Sequence, residues 1–225
     1  METLFKHCNA EHAKMTRDRG IVRVGQLVAY RSMEDERRDD AEGRKSVTIR
    51  PEELIRMPSS ELARVMPANV HIIGGFQEFH AGSKVDLGSE LPPAYLFCVA
   101  ERRPEGGKFG GSSYVITNSA MFGDCLNAAL AAKLGMASQW LLEKVSYGSA
   151  NQAHAETRDE LGRICPGFLS NAAASDYFVK RATFAEDLEW RYVFFPGGEI
   201  TEPFLDVACD VTEMHHCCDF SSLVE

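Results

Sequence analysis

The chain has 225 residues, of which 44% are hydrophobic, and its formal net charge at pH 7 is −9. This length and composition predict one globular domain over residues 1–225 with a sizeable core. The negative charge argues against binding duplex nucleic acid through a generally basic surface, although it leaves room for a local basic groove.

No targeting or membrane-spanning segment is recognisable in the sequence. Residues 1–4 (METL) lack the basic and apolar regions of a signal peptide, and no run of about eighteen apolar residues occurs. The seven cysteines are odd in number and scattered, which is typical of a chain whose thiols stay reduced. We therefore expect a cytoplasmic protein without a membrane contact.

The N-terminal part of the chain changes from strand-like to helix-like segments and back. Residues 3–8 (TLFKHC) predict a strand, and residues 10–18 predict a helix that ends before Gly20, because glycine is common just past a helix end. Residues 21–31 (IVRVGQLVAYR) alternate as in a strand. The dense charge block at residues 33–46 is typical of a solvated loop or of the polar face of a helix.

The middle of the chain contains the most apolar predicted elements. Residues 47–50 are expected to be extended, and Pro51 is placed to start a helical turn, because proline suits the first turn of a helix. Another short helical turn is expected at residues 59–66. Candidate strands follow at residues 69–79, 94–101 and 114–118. Ser119 is the expected cap of a helix that ends at Gly135.

The C-terminal part again mixes strands with polar segments. A strand is predicted at residues 140–148, a polar helix at 151–164, an apolar strand at 186–195 and a short last strand at 205–211. Strands outnumber helices and do not alternate with them regularly. We therefore expect an α+β fold, with a central, twisted, mostly antiparallel sheet surrounded by helices.

The cluster His215–Cys218 (HHCC) is the one group of potential metal ligands that stands out in the sequence. Zinc sites usually separate paired ligands by two or more residues, and adjacent side chains rarely reach one ion. We therefore interpret the cluster as a surface or half-buried part of the C-terminal segment and expect no metal there.

Common catalytic signatures are missing from the sequence. It contains no phosphate-binding glycine loop, no GxSxG nucleophile motif and no HExxH zinc motif. Three places remain at which chemistry-bearing residues lie on or near predicted strand ends, where function concentrates. They are Lys6 with His7, Tyr30 with Arg31, and residues 186–191 (EDLEWR).

The strand predicted at residues 186–195 (EDLEWRYVFF) begins with three carboxylates. Glu189 and Arg191 are two residues apart and so share one face of the strand. Three interpretations are open for these charges. They are a solvated strand end, an active-site carboxylate held on a rigid strand, or a buried network of Glu and Arg that stabilises the fold.

The order of the segments resembles that of a large bacterial family catalogued as domain of unknown function twenty-nine-seventy-one. The similar segments are residues 4–43 (LFKHC to DDAEG), 142–162 (LEKVSYG to RDELG) and 177–194 (YFVKR to EWRYVF). The charged residues 33–43 stand where the family typically has an Asn-Asp-Pro-Phe-like loop, so the chain resembles a divergent relative.

The same layout is similar to that of ADP-ribosyltransferases of the DNA-targeting toxin type. Those enzymes carry a His or Arg on the first strand of a strand–helix–strand element, and a catalytic Glu at the start of a late strand. The resemblance implies an ADP-ribosyltransferase-like fold with NAD as the substrate. It implies that Glu189 and His7 are catalytic, and it assigns NAD binding to Lys6, Tyr30, Arg31 and Arg191.

The chemistry of that reaction suits a fixed carboxylate. Cleavage of the bond between nicotinamide and ribose develops positive charge on the sugar, which a carboxylate stabilises. The acceptor would be a nucleic acid or a protein, and a toxin or phage-defence effector would have an antitoxin or regulator as a partner. The alternative is a non-catalytic protein-interaction module in which Glu189 belongs to a structural Glu/Arg network.

Overall fold

The computed structural model describes residues 3–32, 43–64, 75–103, 111–148, 152–155, 168–169 and 171–223, with the backbone alone for 31–32 and 152–155. Contacts divide the chain into two compact units, each assembled from separate segments. Unit 1 contains Met1–Glu42, Pro93–Ser146 and Ala182–Glu225, and unit 2 contains Gly43–Pro92 and Tyr147–Arg181. The expectation of one domain stays a prediction.

The described residues form fifteen strands and four α-helices. The strands are β1 Leu4–Asn9, β2 Ile21–Gln26, β3 Arg44–Ile49, β4 Ile55–Pro58, β5 Phe76–Phe79, β6 Val85–Glu90, β7 Tyr95–Ala100, β8 Gly111–Ile116, β9 Ser138–Lys144, β10 Ser146–Tyr147, β11 Gln152–Ala155, β12 Val179–Lys180, β13 Glu189–Pro196, β14 Phe204–Ala208 and β15 Cys218–Asp219. The helices are α1 Ala10–Arg19, α2 Ser59–Leu62, α3 Ser119–Leu134 and α4 Val211–Cys217. Short 3₁₀ helices are Leu27–Ser32, Ala174–Phe178 and Ala182–Asp187. The mixed α+β fold is thereby confirmed.

Unit 1 is built on a curled antiparallel sheet that branches at β7. One edge of β7 pairs along its whole length with β13, which in turn pairs with β9. The other edge of β7 is shared, because β2 joins near its start (Gly25 opposite Leu96) and β1 joins at its end (Phe5 opposite Ala100). From there the sheet continues through β2 to β14 and through β1 to β8 and β15. Since β1 and β2 both run antiparallel to β7, α1 connects two strands that run in the same direction.

An aromatic cluster forms the core on one face of this sheet. Alternation along β13 directs Tyr192 and Phe194 to this face, and both are fully buried. The ring of Phe122 on α3 lies 5.3 Å from the ring of Tyr192 and 5.2 Å from that of Phe97. Burial of each such ring contributes about 2–3 kcal/mol to stability. Helix α3 therefore fixes β7 and β13 from one side.

Helix boundaries follow from local chemistry. Asn9 caps α1 by accepting a hydrogen bond from His12, and Gly20 ends the helix with φ at +64°. A Cβ at Gly20 would also lie 2.2 Å from the carbonyl oxygen of Cys209, so glycine is required there on two grounds. Helix α3 is capped by Asn118, which precedes the expected cap Ser119 by one residue.

Several predicted elements differ from the structure. The strand expected at residues 21–31 ends at Gln26 and continues as a 3₁₀ helix. The helical turn expected at Pro51 is absent, since the described backbone is irregular until β4. The helix expected at 151–164 begins as strand β11, because these residues pair in parallel with β3. Such pairing overrides a weak local helical pattern. The charged segment 33–46, expected to be a solvated loop or a polar helix face, ends as strand β3 from Arg44 onward, because these residues pair with β6. The rest of this segment, residues 65–66 and 69–74 of two other predicted elements, and residues 156–164 of the predicted helix lie outside the described residues.

The C-terminal segment is also more deeply packed than its sequence predicts. Cys217 and Cys218 are buried in the core of unit 1, while His215 and His216 are exposed on α4. The expectation of a surface or half-buried segment is therefore wrong for the two cysteines. Asp210 caps this helix by accepting a hydrogen bond from the amide of Glu213.

Unit 2 has a smaller core of its own. Strand β3 lies between β11 and β6, and β4 pairs with β5. Side chains from β3, β4, β5, β6 and α2 pack together. A buried ion pair joins Lys45 to Asp176 over 3.0 Å. Among the described residues, none of the helices has the length and apolar character needed to cross a bilayer.

Candidate functional site

Glu189 begins β13 immediately after a strained residue. Leu188 has φ at +45°, and it is the one non-glycine residue with a positive φ in the described part of the chain. Its carbonyl oxygen accepts a hydrogen bond from the amide of Glu101 over 3.2 Å. The carbonyl of Glu189 in turn accepts from the amide of Val145 over 2.9 Å. Neighbouring strands therefore hold the entry of β13 from both sides.

The side chain of Glu189 is buried and paired with Arg191. One carboxylate oxygen lies 2.6 Å from Nε of Arg191, and the two residues are only 7% and 1% exposed. Their spacing of two residues on a strand places both side chains on one face, as the sequence predicts. Removing two charges from water is costly, and this cost is offset only by close pairing and good hydrogen bonds. The pair therefore holds the carboxylate in one position.

His7 is half-buried on β1 with a defined tautomer. Its Nε2 lies 3.0 Å from the carbonyl oxygen of Arg102. A carbonyl only accepts hydrogen bonds, so Nε2 carries the proton and Nδ1 has the lone pair. Burial lowers the pKa of His7 to about 4, and the carbonyl contact only partly offsets this. The imidazole is therefore neutral at pH 7.

Strand register places His7 on the same face as Glu189. Phe5 lies opposite Ala100, and Ala100 lies opposite Glu189, so these three side chains point to one face. His7 is the next residue of β1 on that face, and Arg191 is the next residue of β13. Two strand spacings separate β1 from β13, or about 10 Å. The structure thus brings His7, Glu189 and Arg191 to one surface of the sheet.

Tyr30 lies on this face as well. Gly25 is opposite Leu96, which shares the face of Ala100 because the two are four residues apart on β7. A Cβ at Gly25 would lie 2.9 Å from the hydroxyl oxygen of Tyr30, so glycine is needed for the ring to rest there. The ring also meets Phe204 edge to face, with 6.4 Å between their centroids.

Lys6 points to the opposite face of the sheet. Its Nζ lies 4.1 Å from the centroid of the Phe97 ring and donates to the carbonyl of Cys98 over 2.9 Å. The structure therefore does not bring Lys6 together with His7. Arg31 lies in the 3₁₀ helix that follows β2, and its side chain is outside the described residues.

Two contributors to the site were missed by sequence reasoning. The strained conformation of Leu188 has no signal in the sequence, because it arises from the packing of β13 against its neighbours. Glu101 directly follows the most apolar strand, and this position is the signal that could have identified it. Within the described ranges, no group of three or more His, Cys, Asp or Glu side chains is arranged to hold a metal ion.

Comparison with known proteins gives no further assignment. No protein-family model, curated protein or solved structure matches the chain. The resemblances described above therefore depend on the residues that carry them, and the site is interpreted from its own geometry.

Proposed function

We propose that the protein is an ADP-ribosyltransferase-like enzyme that uses NAD to modify a macromolecule. The observation that supports it most is the presence of four predicted site residues on one face of the branched sheet. These residues are His7, Tyr30, Glu189 and Arg191. Two of these residues, His7 and Glu189, lie on β1 and β13, which flank β7 in the sheet of unit 1.

The proposed reaction uses Glu189 as a fixed negative charge. The bond between the nicotinamide nitrogen and the ribose C1′ breaks, and nicotinamide leaves with the bonding electrons. The carboxylate stabilises the positive charge that develops on the ribose. An oxygen or nitrogen of the acceptor then bonds to C1′, and its proton passes to a base or to water.

The other residues bind and orient the substrate in this proposal. Neutral His7 lines the face beside the ribose, with Nε2 bound to the carbonyl of Arg102 and Nδ1 buried. Tyr30 offers an aromatic ring and a hydroxyl group beside the same face. Arg191 holds the Glu189 carboxylate in place. Such fixation matters because catalytic groups must be held within about 0.5 Å of the productive geometry.

NAD binding and cleavage test the proposal directly. With NAD at about ten times its Kd, we expect a stabilisation of about 1.4 kcal/mol, seen as a rise of a few degrees in melting temperature. Chromatography should detect nicotinamide release when cell lysate is present as a source of acceptor. Absence of both the thermal shift and nicotinamide release would reject the proposal.

A second candidate is a non-catalytic module that acts through contacts with a stable protein partner. The buried pair of Glu189 and Arg191 favours it, because such a pair also occurs as a purely structural network. In that case the Glu189→Gln variant should still capture a stable partner from lysate, and NAD should cause no thermal shift. Capture that requires the Glu189 charge, together with NAD cleavage, would exclude this candidate.

A further inference from the structure

Three strand ends meet at the side chain of Glu101. This residue directly follows β7, and its Oε1 accepts a hydrogen bond from Nε1 of Trp190 on β13 over 2.9 Å. The same oxygen is paired with Nζ of Lys144, the last residue of β9, over 2.5 Å. Trp190 and Lys144 are also direct partners in the register of β13 and β9. One carboxylate therefore ties together the ends of three neighbouring strands.

This contact lies on the face opposite Glu189. Trp190 is opposite Val99, and its indole packs against the core. Glu189 is opposite Ala100 and so points the other way. Because Glu101 contacts the sheet from the core side, it does not reach a substrate bound beside Glu189. Its influence on chemistry must pass through the backbone.

The backbone of Glu101 also contacts the entry of β13. Its amide donates to the carbonyl of Leu188, the residue with φ at +45°. A leucine in this region of φ persists only where its surroundings hold it. Glu101 thus contacts the strained residue through its amide and the residue after Glu189 through its carboxylate. These two contacts therefore fall on the residues immediately before and after Glu189.

We propose that Glu101 is a positioning residue, which sets the placement of the Glu189 carboxylate in the reaction. This inference rests on the proposed function. A role in stability alone is a poor explanation, because Glu101 and Lys144 are 31% and 49% exposed at their side chains. Exposed ion pairs of this kind contribute little to stability. The contact instead fixes the positions of the residues on either side of Glu189 at the entry of β13.

The test compares three variants in nicotinamide release from NAD. Glu101→Ala removes the acceptor for Trp190 and Lys144, and we expect kcat to fall about 10- to 100-fold, since a misplacement of about 1 Å can cost that much. The KM for NAD should change less than about twofold, because binding contacts are untouched. Glu101→Gln keeps an acceptor oxygen and should restore most of kcat. Asp206→Ala, which breaks the exposed pair with Arg23, is the matched control and should equal the wild type.

Hydrogen exchange provides a readout that does not depend on activity. In Glu101→Ala, the Val145 amide, which bonds to the Glu189 carbonyl, should exchange faster than in the wild type or in Asp206→Ala. Unchanged exchange and unchanged kcat in an active protein would overturn the positioning role and leave the proposed function standing. A wild type that does not cleave NAD would overturn both.

Discussion

At the scale of single residues, the pair of Glu189 and Arg191 governs the stability of the site. Arg191→Leu leaves the Glu189 carboxylate buried without its charged partner, so we expect the free energy of unfolding to fall by roughly 3–5 kcal/mol. The double variant Glu189→Leu/Arg191→Leu replaces both charges with apolar groups and should recover most of that loss. Urea denaturation measures both quantities. A single variant as stable as the wild type would show that the pair is not buried in solution.

His7 predicts a specific dependence of stability on pH. Its pKa in the folded protein is about 4, below its ordinary value of 6.5, because burial disfavours the charged ring. As pH falls, the unfolded chain takes up the proton first, so this stabilisation is complete above pH 6.5 and is lost as pH falls toward 4. Since the ring is only half-buried and solvent screens part of the effect, we expect a loss of about 1 kcal/mol between pH 7 and pH 5.

Two histidine substitutions test this effect, one at His7 and one, as the control, at the exposed His80. His7→Gln should remove that part of the pH dependence, whereas His80→Gln, at an exposed position in unit 2, should retain it. Urea denaturation at pH 7 and pH 5 gives the comparison. Identical pH dependence in wild type and His7→Gln would contradict burial of a neutral His7.

At the scale of elements, two helix-ending glycines allow a matched test of packing. Gly20 and Gly135 both have positive φ, at +64° and +67°. A Cβ at Gly20 would meet the carbonyl of Cys209 at 2.2 Å, whereas a Cβ at Gly135 would meet nothing within 4 Å. Gly135→Ala should therefore cost about 1 kcal/mol, from backbone strain alone. Gly20→Ala should cost at least about 1 kcal/mol more, because the end of β14 must also move.

Melting temperatures measure this difference. For a chain of this length, each kcal/mol corresponds to about 2–4 °C. Equal melting temperatures for the two variants would show that α1 does not pack against the residues after β14 as described.

The sequence predicts those elements whose stability is local, and it fails where pairing with distant residues decides. Helix α1 and strand β7 are confirmed because capping residues and a continuous apolar run are local signals. The local pattern of residues 151–164 predicts a helix, but residues 152–155 form strand β11. Their pairing with β3 joins residues about a hundred positions apart, which a local pattern does not encode. The 3₁₀ helix after β2 also depends on a distant segment, since its first amide bonds to the carbonyl of Ala94, the residue before β7.

The candidate site shows the same division. The shared face of Glu189 and Arg191 follows from their spacing, and it was predicted. That His7 joins them depends on the register of β1 and β13 against β7, which alternation within one strand does not encode. Lys6 illustrates the same point, because adjacency to His7 on a strand places it on the opposite face.

At the scale of the whole molecule, we propose that unit 1 holds a fixed carboxylate for NAD cleavage. The branched sheet brings a histidine of the first strand and a glutamate of a late strand to one face. Arg191 and the neighbouring strands hold that glutamate in place. In the proposed function, the acceptor of the ADP-ribosyl group would decide the biological role, whereas the cleavage step would depend on the residues of this face.

The most direct measurement is the rate of nicotinamide release from NAD by the wild type and by Glu189→Gln, each shown to be folded by circular dichroism. The glutamine keeps an oxygen that accepts from Nε of Arg191 but removes the negative charge. We predict a rate at least about a hundredfold lower, the usual scale for removing a positioned base or charge-stabilising group. A folded Glu189→Gln variant that releases nicotinamide at the wild-type rate would contradict a catalytic role for Glu189.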